Sequence, residues 1–125
     1  MKFRSALFLF LFVLVTAPVF AHHGAAAFDM GTTLTLKGTV SEFRFINPHV
    51  LISIETKDDK GQTQTWTGEL TSPNNLTRTG WSTKTLQIGQ QLTMIGSPSK
   101  SGAHSLWIRK LLDPAGQEMS LAIGN

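Results

Sequence analysis

Four histidines are the side chains in this sequence best suited to chemistry: His22, His23, His49 and His104. Two of them follow a segment that reads as an export signal ending Val19-Phe20-Ala21. Val19 and Ala21 suit the −3 and −1 positions of a signal-peptidase site, so cleavage is expected after Ala21 and the mature chain begins at His22. An N-terminal histidine offers its α-amine and its Nδ1 together, and the two close a chelate ring on one ion. A second imidazole from elsewhere in the chain then completes a T-shaped set of three nitrogens, a histidine brace. Tetragonal nitrogen ligation suits Cu(II), with Zn(II) second. Both nitrogens of His22 can give up protons to a metal near neutral pH. His23 has a separate route, through the amine, its own amide nitrogen and its imidazole.

The same histidines fit blander roles. His22 and His23 can form a solvated tail. His49, directly after Pro48, can be a strand-start residue that bonds a backbone carbonyl, and His104 can be an exposed loop residue. A metal site needs convergent ligands and a supporting shell, which spacing alone does not supply. Other chemistries find little to work with. There is no Gly-x-Ser-x-Gly, no cysteine nucleophile and no His-Glu-x-x-His. Glu42, Glu55 and Glu69 fall on three predicted strands, where alternating carboxylates read as a solvated face.

The signal is well formed. Lys2 and Arg4 make its positive end, Ala6 to Val15 its apolar run, and Thr16-Ala17-Pro18 its break. The apolar run is shorter than the ~20 residues of a spanning helix, so no membrane span is expected after cleavage. With no cysteine there is no lipidation site, and the expected location is periplasmic or secreted. Residues 1–21 are thus assigned to the signal peptide, 22–32 to an extended lead-in, and 33–125 to one domain. That domain is large enough to bury a core without disulfides. The chain holds eleven Lys and Arg against eight Asp and Glu. Two of those cations, Lys2 and Arg4, lie in the signal, which leaves the mature domain near neutrality. Its basic residues are scattered and have acidic neighbours, as in Lys57-Asp58-Asp59-Lys60, so nucleic acid is not expected as a partner.

The remaining pattern is that of strands. Leu34, Leu36, Gly38 and Val40 alternate on one face, and Phe43 and Phe45 continue with the opposite parity, which places a bulge near Ser41. Asn47-Pro48 breaks the chain before a second strand, His49 to Thr56, and a polar loop leads to a third, Thr63 to Leu70. Ser72-Pro73 to Gly80 reads as one short helix, with Ser72 as cap, Pro73 in the first turn and Gly80 at the exit. Trp81 follows as a core plug. Gln90 to Ser97 and His104 to Leu112 are the fourth and fifth strands, and Glu118 to Ala122 offers a short sixth. Three strands, a helix, then two strands is the order of the oligonucleotide/oligosaccharide-binding (OB) fold. The expected architecture is therefore all-β, a small five- or six-stranded OB-like barrel with one short helix between strands three and four. Strand one of such a barrel touches strands two and four, so order alone does not choose between His49 and His104 as partner to His22.

Several segments together carry a family resemblance: His22-His23-Gly24, Phe28-Asp29, Leu36-Lys37-Gly38-Thr39-Val40, Asn47-Pro48-His49, the run Ser72 to Trp81, and Gly96 with Pro98. The chain resembles DUF6152, a family of small exported bacterial proteins of unknown function. The resemblance implies an exported domain with a double-histidine start and an Asn-Pro-His element, and it implies no activity. Members read His-His-Ser where this chain has Gly24, so a serine-based role is put in doubt and a histidine-based one is not. Because the resemblance singles out Asn-Pro-His, His49 is favoured over His104. The expected function is that of a non-enzymatic binding module that takes Cu(II) through His22. The alternative is a module that docks an envelope protein or glycan, with incidental histidines. A small redox enzyme is a third reading, against which stand the small size and the lack of tyrosine for an axial position.

Overall fold

One bent strand organises the molecule. In the computed structural model, which describes residues 24–121, β1 (Leu34–Arg44) pairs along its first half with β4 (Gln91–Pro98) and along its second half with β2 (Leu51–Lys57), antiparallel in both cases. The register on β2 slips between Val40 and Glu42, the bulge expected near Ser41. That slip reverses side-chain parity, so Val40 and Phe43 both turn to the core. Gly38 marks the crossing of the two halves. A methyl group there would overlap the Glu55 carbonyl oxygen, so only glycine lets the strands approach this closely.

The remaining strands close the ring. β2 runs antiparallel to β3 (Thr63–Glu69), and β4 runs antiparallel to β5 (Ser105–Leu112). The barrel shuts where β3 and β5 meet in parallel, in the order β1-β2-β3-β5-β4. This last joint is short: Thr67, Gly68 and Glu69 against Ser105, Leu106 and Trp107. Five strands make the barrel. The sixth is reduced to a single bridge between Leu112 and Glu118, with the Met119 amide donating to Leu111.

Val40, Ile52, Ile54, Leu92, Met94, Leu106, Ile108 and Leu111 fill the interior and are all but inaccessible to water. Each such aliphatic side chain stabilises the fold by about 1.5–3 kcal/mol relative to an exposed position. Between β3 and β4, α1 (Pro73–Thr77) plugs one end of the barrel with Leu76. Ser72 caps it through its hydroxyl, which accepts from the Asn75 amide, and Pro73 opens it, as expected from the sequence. Gly80 turns the chain out with a φ of 89°. Trp81 is buried behind it, its indole N–H donating to the Ser120 carbonyl at 2.8 Å.

The described part of the lead-in is docked onto the barrel. Ala25–Ala27 forms a single 3₁₀ turn, and Phe28 then bridges to Ser99 and is buried. The Asp29 amide donates to Pro98 O at 2.8 Å, and the Lys100 amide donates to Ala27 O at 3.0 Å. The Asp29 carboxylate closes the next turn, accepting from the Thr32 hydroxyl and the Gly31 amide. Those two donors, Thr32 first, hold the Asp29 carboxyl below its ordinary value.

Candidate functional site

Strand alternation puts one group of side chains on the outer wall. Val50, Gly68, Leu70, Leu106 and Ile108 are buried, so His49, Glu69 and Trp107, which alternate with them, turn outward. The β2–β3 hairpin pairs Leu51 with Glu69, and the parallel joint pairs Glu69 with Trp107. Three residues far apart in sequence thereby meet beside the β3–β5 joint. His49 Nδ1 lies 3.3 Å from Glu69 Oε2. The His49 ring stands edge-on to Trp107, centroids 5.6 Å apart at 80°, and Phe28 packs on Trp107 at 5.9 Å.

His49, Glu69 and Phe28 line a cavity of about 270 Å³, together with Gly24, Ala27, Pro48, Ser99 and Ser105, and Trp107 packs behind them against His49 and Phe28. It lies between the β1–β2 loop and the β4–β5 loop, the region where OB folds take their ligands. His49 lies just before β2, which begins at Leu51, and its neighbour Val50 is fully buried.

The hydrogen bond fixes the chemistry of His49. Carboxylate oxygens only accept, so the ring nitrogen facing Glu69 carries the hydrogen. In the neutral imidazole this leaves the lone pair on Nε2, the form that binds a metal ion. A carboxylate holding the far nitrogen of a ligating histidine is the common supporting arrangement of metal sites. The two side chains are each about 30% exposed, His49 at 29% and Glu69 at 30%, so the pair is partly shielded from solvent and open to a ligand.

The other expected site residues fall elsewhere. His104 does not line this cavity. Its ring stacks on Trp66, centroids 4.7 Å apart at 15°, and its carbonyl accepts from the Thr67 amide. Trp66 packs against the barrel core. His22 and His23 lie outside the described residues, as does the signal segment. Among the described residues no three His, Cys, Asp or Glu side chains converge as a metal group. Glu69, Trp107 and Phe28 are site residues that the sequence reading missed. Hairpin arithmetic was the available signal for Glu69: pairing Lys57 with Thr63 puts Leu51 opposite Glu69 and His49 diagonal to it.

The fold is an OB barrel, and this defines the structural class. The chain belongs to DUF6152, a family of unknown function, which matches residues 11–106. No curated relative matches the chain by sequence. Among solved structures it is similar to the mitochondrial single-stranded DNA-binding protein of S. cerevisiae, at 14% identity and a TM-score of 0.46, covering 72% of this chain and 96% of that one. It is also similar to a small single-stranded DNA-binding protein from Streptomyces coelicolor, at 14% identity and a TM-score of 0.41, covering 75% of this chain and 96% of that one. The expectation that excluded nucleic acid as a partner is corrected by these matches. The solved barrels that this one resembles are described as binding single-stranded DNA, and a scattered basic composition is no ground for the exclusion. At this identity the likeness itself concerns the fold. Among the described residues no helix is long and apolar enough to cross a membrane.

Proposed function

We propose that this protein is an exported, non-enzymatic binding module that holds Cu(II) at a site completed by its own N-terminus. After cleavage behind Ala21, the His22 amine and Nδ1 supply two nitrogens and His49 Nε2 the third, while Glu69 orients His49. The observation that carries the reading is the position of Gly24. This residue, two positions after His22, lines the same cavity as His49 and Glu69. Two residues reach at most about 7 Å, so the cavity lies within range of the new terminus. The docking of Ala27, Phe28 and Asp29 onto β4 and the loop after it aims the chain there. His104, occupied with Trp66, has no part in the site.

The test is a Cu(II) competition titration with electron paramagnetic resonance (EPR) spectroscopy on protein exported and cleaved in cells. A version with one added residue before His22 is run in parallel, and intact mass confirms each terminus. Sub-micromolar affinity with nitrogen hyperfine structure, lost in the extended version and in His49→Ala, is the expected result. Weak binding, equal in all versions, overturns the reading and leaves a barrel that docks an envelope protein or glycan.

A further inference from the structure

We propose a second binding site: the cleft where β1 parts from β2 takes an acidic saccharide, one that carries an oxyanion among its hydroxyls. The site is independent of the copper reading, since none of its lining residues borders the cavity at His49.

The cleft follows from the bend in β1. Thr39 and Glu55 end the β1–β2 ladder, and toward its start β1 pairs with β4 instead, Lys37 against Thr93. β2 runs on to Lys57 with β3 alone beside it. A side chain bridges the gap: the Thr56 hydroxyl donates to the Lys37 carbonyl at 3.0 Å. Gly38, also in the lining, has no side chain to fill the space. The result is a groove of about 570 Å³, more than twice the volume of the cavity at His49. That is within the range of about 300–1,000 Å³ for small-molecule sites.

Register decides which charges face the groove. Extending the Thr39–Glu55 pairing by two residues sets Lys37 opposite Lys57 on the same outer face. Like charges opposed across strands destabilise a sheet. Nothing cancels them here, because neither ammonium has a carboxylate within ion-pair distance among the described residues. Asp58, next to Lys57, is taken by its own turn, where it accepts from the Lys60 and Gln62 amides and the Gln64 side chain. Lys57 uses one of its donors on the Thr63 hydroxyl at 2.9 Å and keeps the others. An oxyanion seated between the two ammonium groups relieves their repulsion.

The rest of the lining selects the rest of the ligand. Glu55 stands one step along the same face, beside Thr39 and Gln91, whose side-chain amide donates to the Thr39 hydroxyl at 3.0 Å. A carboxylate only accepts, so Glu55 receives hydroxyls and repels a bare or multiply charged anion. None of the described lining residues is aromatic, whereas single-stranded nucleic acid is held on aromatic stacking platforms in a basic groove. A hydroxyl-rich molecule with one oxyanion per unit satisfies both the lysines and Glu55. A smaller cavity of about 160 Å³ shares Lys37 and Gln91 and carries the groove across Thr93 to Pro114, which gives room for a chain of sugars.

The test is an amide chemical-shift titration by NMR on the exported, cleaved protein without metal. The probes are trigalacturonate, its methyl ester, glucose 6-phosphate, inorganic phosphate and oligothymidylate. Trigalacturonate should shift the amides of Lys37, Gly38, Thr39 and Lys57, leave that of His49 in place, and bind more weakly as salt rises. The methyl ester should bind less well. Lys37→Gln and Lys57→Gln should each lower affinity about two- to fivefold, the range for an exposed charge pair. Neither should lower the melting temperature, since each removes a repulsion. Glu55→Gln should weaken trigalacturonate and strengthen inorganic phosphate, a reversal that a merely basic surface does not give. Either trigalacturonate or glucose 6-phosphate supports the site, and the stronger of the two names the oxyanion. Phosphate bound as tightly as both saccharides, tighter binding of oligothymidylate, or no shift at these amides overturns the inference. Each of those results leaves the copper reading untouched.

Discussion

The Lys100 ammonium donates to the carbonyl of Ala26 across 3.0 Å, and its backbone amide donates to Ala27. One residue of the β4–β5 loop therefore holds the turn that brings the chain to the cavity. Lys100→Met keeps the aliphatic stem and removes one hydrogen bond, a loss of about 1 kcal/mol. The melting temperature should fall by about 4–8 °C, and Cu(II) affinity of the cleaved protein should fall severalfold, because the ion must then order the segment itself. Titration of the variant beside the wild type checks this, and an unchanged affinity separates the anchor from the site.

Glu69 is expected to act through His49. Glu69→Ala should lower Cu(II) affinity by about 10–100-fold, the usual effect of losing the group that orients a ligating histidine. Its effect on stability should be under about 1 kcal/mol, since the pair is partly solvated. Urea denaturation without metal and competition titration with it read the two quantities separately. A large loss of stability would make Glu69 a structural residue.

His104→Ala should leave Cu(II) binding as it is and alter the environment of Trp66, on which the imidazole stacks. Tryptophan emission should change in the metal-free variant. A loss of copper affinity equal to that of His49→Ala would return His104 to the site.

Gly96 faces β5 so closely that a methyl group would overlap the Trp107 carbonyl oxygen. Backbone cannot move aside as a side-chain tip can. Gly96→Ala should destabilise the barrel by about 1–3 kcal/mol, the range for overpacking. Gly61→Ala is the contrast, with open space around it but a φ of 75°. Its cost is local and should spare the β4–β5 ladder. Amide exchange across β4 and β5 distinguishes the two.

Asp29 gives the molecule an acid-side dependence. Its carboxyl is held below 3.8 by the Thr32 hydroxyl and the Gly31 amide. A folded-state value below the unfolded one means stability that is present above 3.8 and lost as pH falls through the lower, folded value. Asp29→Asn should flatten the arm of a stability-against-pH curve that falls as pH drops below about 3.8. An identical curve for the variant would assign the acid dependence to other carboxyls.

The barrel was legible in the sequence where local rules act alone. The period-two pattern from Leu34, the parity change after Val40 and the Ser72-Pro73 start of α1 each have a local cause, and each is found in place. The end of β5 was less so, because Glu118 makes one bridge and the chain then turns to Trp81. The site was half legible. His49 stood out by type, and Glu69 was within reach of hairpin counting. Trp107 was not, because it arrives through a parallel joint between strands that are not consecutive, and neither strand carries a mark of that pairing. Phe28 looked like part of a loose leader, yet it is 4% exposed. Its burial depends on Trp107 and Ser99, contacts that exist only once the barrel has closed.

The parallel joint has one further consequence. It is the shortest ladder in the barrel, and Glu69 and Trp107 form its last pair. Closing the ring and shaping the proposed ligand site are therefore the same act, performed by the same residues. On the proposed reading, an ion held between the lead-in and His49 would act as a clasp across that joint. Loading and closure would then be one linked equilibrium, in which occupancy tightens the ring and an open ring cannot hold the ion.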